Sequence, residues 1–586
     1  MGADAPAQQP VPRLPPRARR RVPRLGHCPR DDRALNVIRL QDAVRVHHGL
    51  RRRHARLALL AVLPLLAHCA TAPRLGGIET SHALPPGTDS PLDAAAERAL
   101  RVDTAARDDA SAPRAPADPR GLSAVTLIES NALAYAYRAS TAQQAVRSLD
   151  VQYYIWHADL TGRLLATELL RAAERGVRVR ILVDDIDGRA KHDLFLVADQ
   201  HPNLEVRLFN PFYSRSGILG KVTEAVLRGT RLNRRMHNKA WIADNRVAIV
   251  GGRNIGDEYF GASRHSNFAD LDVLLAGPVV ADVSRSFDEY WNSPNAVPVS
   301  RFEGRPPPPG ALERLIADAE AWRERKAESP YVETLEEAQR QIGADVAGDA
   351  SRVLAAVRLL ADDPKKPDER GDGLPTSTVL RGLAPAIAAA RDEILIVSPY
   401  FVPRSSGAQG LVDMVESGVR VAVLTNSLAA TDVAAVHTGY ARHRRDLLRG
   451  GVELYEMKQQ VDGTGGHSQI SVTGSSQASL HTKAMVIDRH WVYVGSMNLD
   501  PRSANINTEM GVLLESGRFA EQLRANFGRI AAPDLSYRVE LEGGEGLVWY
   551  DQVDGEARRL EREPDASAGR RFTVTVLRLF PIESQL

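Results

Sequence analysis

The chain has 586 residues, 43% hydrophobic and 25% charged, with 75 basic against 73 acidic side chains and a net charge of +2. That balance is globular rather than disordered or fibrous, offers no charge excess for a bulk nucleic-acid binder, and with 2 cysteines builds no disulfide scaffold. No apolar run reaches the roughly 18 residues that a spanning helix requires.

Residues 1–50 are rich in Pro and Arg and predict no packed structure. Arg51, Arg52, Arg53 and Arg56 then precede an apolar run over 57–67, which has the length of a signal-peptide core and is too short for a span. The run ends in Leu66-Ala67-His68-Cys69, similar to a lipoprotein box with Cys69 as the lipidation site; His68 departs from the small residue expected there. Signal peptides begin near their basic residues, so translation is expected to start near Val46 or Leu50, leaving 1–50 as a mis-annotated leader. Residues 51–69 then form the signal segment, and 70–120, mostly Ala, Asp, Pro and Arg, form a flexible tether. Export puts the folded body in the envelope of a bacterium, membrane-associated and periplasm-facing, with the cytoplasmic face as the alternative.

From residue 121 strands and helices alternate. Buried strands are predicted over 151–156, 177–183 and 204–209, with helical Leu/Ala spacing over 164–175. The arrangement recurs, with strands over 393–397, 419–424 and 452–455 and helical character over 411–417. Gly176 and Gly418 occupy matching helix-to-strand junctions and suit left-handed C-caps. The expected architecture is α/β: a first half over 121–300, a helical connector over 301–375, and a second half over 376–586 from an internal duplication.

Each half carries one short motif. The first is Met236-His237-Asn238-Lys239 continuing to Asp244; the second is Leu480-His481-Thr482-Lys483 continuing to Asp488. Both read HxKxxxxD, and each is followed by an apolar strand and an asparagine turn, Gly251-Gly252-Arg253-Asn254 and Gly495-Ser496-Met497-Asn498. In an extended strand His and Lys two apart project from one face. A chain that otherwise favours Arg uses Lys at both positions, and a compact ammonium suits a moving phosphoryl oxygen. Two halves meeting about a pseudo-twofold axis would join two imidazoles, two ammonium groups and two amides without a carboxylate cluster for a metal. Such a site fits a phosphodiester.

On these motifs the chain resembles the phospholipase D superfamily. Residues 151–156 with His157, Ser398-Pro399-Tyr400-Phe401-Val402-Pro403, Phe268-Ala269-Asp270 through Gly277-Pro278, and Asn507-Thr508-Glu509 are similar to its bacterial cardiolipin synthase C-like branch. The resemblance spans about residues 120–586. It implies two phospholipase D-like halves packed as a pseudo-twofold sandwich, one active site at their interface, no metal or other cofactor, and a covalent phosphohistidine. By the same analogy His237 attacks phosphorus while His481 protonates the leaving alcohol and then deprotonates the acceptor; the reverse assignment stays open at this point. The catalytic set is His237, Lys239, Asp244, His481, Lys483 and Asp488, with the two motif aspartates expected to brace strand and turn. Asn254 and Asn498 would join the lysines in binding phosphate oxygens. Asp270 and Glu509, each downstream of its respective histidine, match the carboxylates that orient the imidazoles. One neutral and one protonated histidine predict a bell-shaped pH–rate profile.

The expected activity is phosphatidyl transfer that yields cardiolipin from phosphatidylglycerol, with phosphatidylethanolamine as a second candidate substrate. Hydrolysis of phospholipid and, lower, a nuclease are the alternatives; no nucleic-acid partner is expected. Apolar residues at helical spacing over 218–227, followed by Arg231, Arg234 and Arg235, offer a segment that could dock on anionic lipid or cover the core. The Gly/Ser/Thr-rich stretch 461–479 is a candidate lid. Both half-sites lie in one chain, so a monomer suffices.

Overall fold

The computed structural model describes residues 76–101, 121–188, 191–213, 224, 229, 231–302, 306–343, 351–366, 377–459, 478–553 and 555–579. The leader, the signal segment with Cys69, most of the 218–227 segment and nearly all of the candidate lid lie outside the described residues.

The first half contributes β1 (Ser123–Ile128), β2 (Ser148–Tyr153), β3 (Arg178–Asp184), β4 (Leu204–Phe209), β5 (Ala240–Ala243), β6 (Val247–Gly251), β7 (Asn267–Ala269), β8 (Asp272–Ala276) and β9 (Ala296–Pro298). Their order across the sheet is β9-β4-β3-β2-β5-β6-β8-β1, with β2, β3 and β4 parallel. The second half contributes β10 (Val353–Ala361), β11 (Glu393–Val397), β12 (Arg420–Asn426), β13 (Glu453–Met457), β14 (Ala478–Leu480), β15 (Ala484–Ile487), β16 (Trp491–Gly495), β17 (Met510–Glu515), β18 (Ser536–Glu542), β19 (Gly546–Val553) and β20 (Glu556–Leu560). Its order, β20-β19-β18-β13-β12-β11-β15-β16-β17-β10, repeats the first and adds a hairpin at the edge. Parallel central strands such as Glu-Ile-Leu-Ile-Val are buried throughout, which is why they read as continuous apolar runs rather than alternating ones. Gly176 and Gly418 take φ of +91° and +97°, the left-handed caps that their junctions require.

Two expectations are corrected. The connector is expected to be helical over 301–375. Its helices Ala311–Lys326 and Pro330–Ile342 are present, but 353–361 is β10, the repeat's first strand, so the second half begins well before residue 376. β10 pairs antiparallel with β1, Ser123 opposite Ala355 and Val125 opposite Val353, and this joins the two sheets. The 70–120 tether is likewise interrupted by a helix, Pro91–Leu100, closed by a capping box between Ser90 and Asp93. Leu92, Ala95, Ala96 and Ala99 bury one face of it, and Asp93 is ion-paired to Arg246. Small side chains permit that close packing, and the same alanines give the stretch its low-complexity appearance.

One core cluster spans both halves. It includes Val125, Ile242, Val250 and Val273 of the first sheet and Leu395, Val486, Val494 and Val512 of the second, with matching helices Pro278–Trp291 and Gly517–Ile530 packed into it. The sheets are therefore the two inner layers of a sandwich, with a further core outside each. No described helix is long and apolar enough to cross a membrane.

Candidate active site

Each motif strand is held by the opposite half. His237 stands just before β5; its N–H donates to the Thr508 carbonyl at 2.9 Å, and the Thr508 N–H donates to the Arg235 carbonyl at 2.9 Å. In the mirror arrangement β14 pairs parallel with β7, and the His481 and Thr482 N–H groups both donate to the Ala269 carbonyl at 2.8 and 3.1 Å. These ladders bring the residue after each paired segment against the other half's imidazole. Glu509 Oε2 lies 2.8 Å from His237 Nδ1, and Asp270 Oδ2 lies 2.5 Å from His481 Nδ1. Sequence proximity couples Asp270 to His237 and Glu509 to His481; the structure exchanges the pairs. The orienting carboxylates are therefore the bonds that tie the halves into one site.

With Nδ1 engaged, Nε2 is the ring nitrogen left for chemistry. Aromatic rings wall each imidazole: Tyr154 at 5.0 Å from His237, and Tyr259 and Phe268 at 5.3 and 5.0 Å from His481, centroid to centroid. Lys239 donates to its own motif's His237 carbonyl at 2.8 Å, and Lys483 does the same to the His481 carbonyl.

Burial removes water from every charge here, so the groups set one another's protonation. Burial first, then the Lys239 and Lys483 ammoniums and the His481 ring, hold His237 well below the ordinary histidine range. Burial and Lys483 also lower His481, against the opposing pull of Asp270. Burial depresses both lysines, Lys239 far below its usual value and Lys483 to about 8, although Glu509 and Asp270 counteract it. The carboxylates diverge. Burial alone would raise Asp270, but His481 and Lys483 hold it below the usual range, whereas burial lifts Glu509 to about 7 despite Lys239 and the Ser496 hydroxyl.

The glycine turns have a steric reason. A Cβ on Gly252 would stand 2.2 Å from Asp270 Oδ1, so a side chain there would displace that carboxylate. In the second half the equivalent residue is Ser496, whose hydroxyl donates to Glu509 Oε2 at 2.5 Å and accepts from the Met510 N–H at 3.0 Å. A Cβ on Gly251 or Gly495 would meet the carbonyl of Leu271 or Met510 at 2.5 Å. The asparagines differ. Asn254 donates to the Tyr259 hydroxyl at 2.9 Å and accepts from the Ile155 N–H, so it is committed to its turn, while Asn498 Oδ1 is buried without a partner among the described residues.

Asp244 and Asp488 lie at the far ends of β5 and β15, away from the imidazoles. Asp244 accepts from the N–H groups of Val146, Arg147 and Ser148, and Asp488 from those of Arg391, Asp392 and Glu393. Both have φ near +50°, as do Asn245 and Arg489 after them, the signature of tight hairpin turns. Of the basic residues expected to face lipid, Arg235 is 1% exposed and bonds Asp184 and the Asn210 carbonyl, and Arg231 donates to Asn295. They hold the entry to the His237 strand from inside. Sequence reasoning missed Ser496, Gly252, Tyr154 and Tyr259, and also Asp362, whose carboxylate accepts the Glu509 N–H at 3.0 Å and the Lys366 ammonium at 2.7 Å. Only the mismatch between the GG and GS turns hinted at any of these.

Comparison with known proteins agrees with this duplication. A family described as cardiolipin synthase, PLD-like domain, matches twice, over residues 139–291 and 383–531, once in each half. The chain is 41% identical to cardiolipin synthase C of Escherichia coli K12 over 78% of its own length and 94% of that protein's. It is 26% identical to cardiolipin synthase B of the same organism over 67% and 76% of the respective lengths. Among solved structures, phosphatidylserine synthase of Haemophilus influenzae Rd KW20 shares the fold, with a TM-score of 0.51 at 13% identity over 79% of this chain and 95% of that one. The chain belongs to the cardiolipin synthase, PLD-like domain family of the phospholipase D superfamily.

Proposed function

We propose that the protein is a phosphatidyltransferase that makes cardiolipin by double displacement at the two crossed histidine–carboxylate pairs. The observation that carries the reading is the exchange of Asp270 and Glu509 between halves, which engages Nδ1 of both imidazoles beside two buried lysines.

A phosphodiester resists attack because it is anionic and its leaving alkoxide is poor; a covalent intermediate and a positioned acid address both. His237, kept neutral, is the nucleophile. Its Nε2 bonds to phosphorus while the P–O bond to the head alcohol breaks and His481 gives that oxygen its proton. In the second step His481 takes the proton of the incoming hydroxyl, the new O–P bond forms and the P–N bond breaks. Asp270, held ionised, suits the ring that must carry the proton. Burial and the Lys483 ammonium oppose a charged His481; binding of an anionic phosphate offsets that field and lets the ring take its proton from solvent. Lys239, Lys483 and Asn498 face the growing charge on the phosphoryl oxygens.

The lipids we assign are phosphatidylglycerol as acceptor and phosphatidylglycerol or phosphatidylethanolamine as donor, reached by peripheral or lipid-anchored association with the bacterial envelope. Purified protein with labelled phosphatidylglycerol, with and without phosphatidylethanolamine, tests this. Cardiolipin is the predicted product; phosphatidic acid alone would make the protein a hydrolase, and inert lipids with cleaved single-stranded DNA would make it a nuclease.

A further inference from the structure

The two imidazoles are chemically equivalent in sequence but stand in unlike surroundings. On the His237 side Arg502 is fixed to the side-chain and backbone oxygens of Asn233 at 3.0 and 2.6 Å, and its charge reaches Tyr154, whose ring packs edge-on to His237. Beside His481 the outer charge is negative. Asp432, on the loop after β12, is exposed, and its Oδ2 accepts from the half-buried Tyr400 hydroxyl at 2.7 Å. Its other oxygen has no partner among the described residues. Phe401, next to Tyr400, bridges to Leu499, next to Asn498, so the pair sits against the second asparagine turn. The charge of Asp432 reaches Lys483 and Tyr259, whose ring packs edge-on to His481.

This loop is built rather than loose. Arg570 of the C-terminal helix Ala568–Leu577 donates to the Ala429 carbonyl at 2.8 Å and to the Thr431 carbonyl. Leu428 packs on Ala566 and Val574. From the other side the Ser479 hydroxyl, two residues before His481, donates to the Ala430 carbonyl at 3.0 Å. An exposed carboxylate is therefore fixed at the His481 side of the site, where it partly cancels the field of Lys483 that attracts phosphate. No step of the transfer mechanism requires it.

The chemistry says what belongs there. His481 protonates the leaving alcohol and deprotonates the accepting one, so both alcohols must occupy the same place beside it, in turn. We propose that Asp432 and Tyr400, beside the second asparagine turn, form the head-alcohol subsite, which holds hydrogen-bond-donating hydroxyl or ammonium groups. The inference rests on the transferase reading and deepens it. A carboxylate accepts from a second hydroxyl or an ammonium, and such charge-assisted bonds are the strong ones. The subsite favours transfer over hydrolysis by holding an alcohol where water would otherwise stand.

The test uses the full chain with phosphatidylglycerol vesicles as donor and labelled glycerol, ethanolamine or 1-propanol as soluble acceptors, and reads the ratio of transfer product to phosphatidic acid and the KM of each acceptor. Wild type should favour glycerol and ethanolamine over 1-propanol, which lacks a second donor group. Asp432→Asn should lower the transfer-to-hydrolysis ratio for ethanolamine by about 10-fold or more and narrow the discrimination against 1-propanol. Tyr400→Phe should shift both in the same direction by less. Unchanged ratios and KM values in both variants, with wild type transferring, would overturn the subsite. Wild type inert toward every lipid would overturn the transferase reading and the subsite with it.

Discussion

Exchange of the orienting carboxylates makes a prediction that in-half pairing reverses. Glu509 accepts from His237 Nδ1 at 2.8 Å and from the Ser496 hydroxyl at 2.5 Å. In Glu509→Gln the amide nitrogen facing the ring would drive the proton to Nε2 and remove the nucleophilic lone pair. A wrong-tautomer histidine in a hydrolase triad costs about 10³- to 10⁴-fold, or about 4–5.5 kcal/mol of barrier. Asp270→Asn acts on His481 instead, so it should impair protonation of the leaving group and deprotonation of the acceptor but not attack on phosphorus. Lipid phosphodiesters with alkyl and with p-nitrophenyl leaving groups separate the two, because nitrophenolate departs without a proton. Phosphoenzyme formation from the nitrophenyl ester should be nearly normal in Asp270→Asn and suppressed by about 10³-fold in Glu509→Gln; both should be slow on the alkyl ester. Rescue of Glu509→Gln rather than Asp270→Asn would refute the crossed assignment, or else the choice of His237 as nucleophile.

Three further outcomes follow from the packing. Burial lifts Glu509 to about 7 in the folded protein from its ordinary value of 4.5, so the folded state holds the proton longer, and stability should fall as pH rises from about 4.5 to about 7 and then level off. The total, about 3 kcal/mol by linkage, should vanish from urea titrations of Glu509→Gln; a pH-independent difference between the two proteins would contradict it. Gly252→Ala places a methyl 2.2 Å from Asp270 Oδ1; alkyl-ester turnover should drop at least about 10-fold by loss of imidazole orientation, with the nitrophenyl ester less affected. Asp244→Ala leaves the N–H groups of Val146, Arg147 and Ser148 without their acceptor and should cost about 2–4 kcal/mol of stability, while material that remains folded keeps its phosphoenzyme chemistry.

The elements were legible where burial imposes a local pattern. The strand expected over 204–209 is β4 and that over 393–397 is β11, residue for residue: β11 is a continuous apolar run buried on both faces, while β4 alternates Leu204, Val206 and Leu208 with Glu205 and Arg207. The HxK pairs were legible because strand geometry fixes their common face. What was not legible depends on distant pairing. His237 meets a carboxylate 272 positions away and His481 one 211 positions away, and nothing local distinguishes the exchanged pairs from the in-half ones. β10 was hidden among the charges of the connector, and the helix Pro91–Leu100 looked like linker because alanine-rich packing and alanine-rich tethers share a composition. Arg235 looked like a lipid-facing charge until Asp184, a β3 residue, proved to be its buried partner.

The central claim is that both imidazoles serve one phosphorus atom. A crystal of the protein soaked with vanadate or tungstate measures this directly. One oxyanion per chain should appear, bonded to His237 Nε2 and within hydrogen-bond distance of His481 Nε2, with the Lys239 and Lys483 ammoniums at its equatorial oxygens. Two separate anions, one at each histidine, or an anion touching only one ring, would contradict the account.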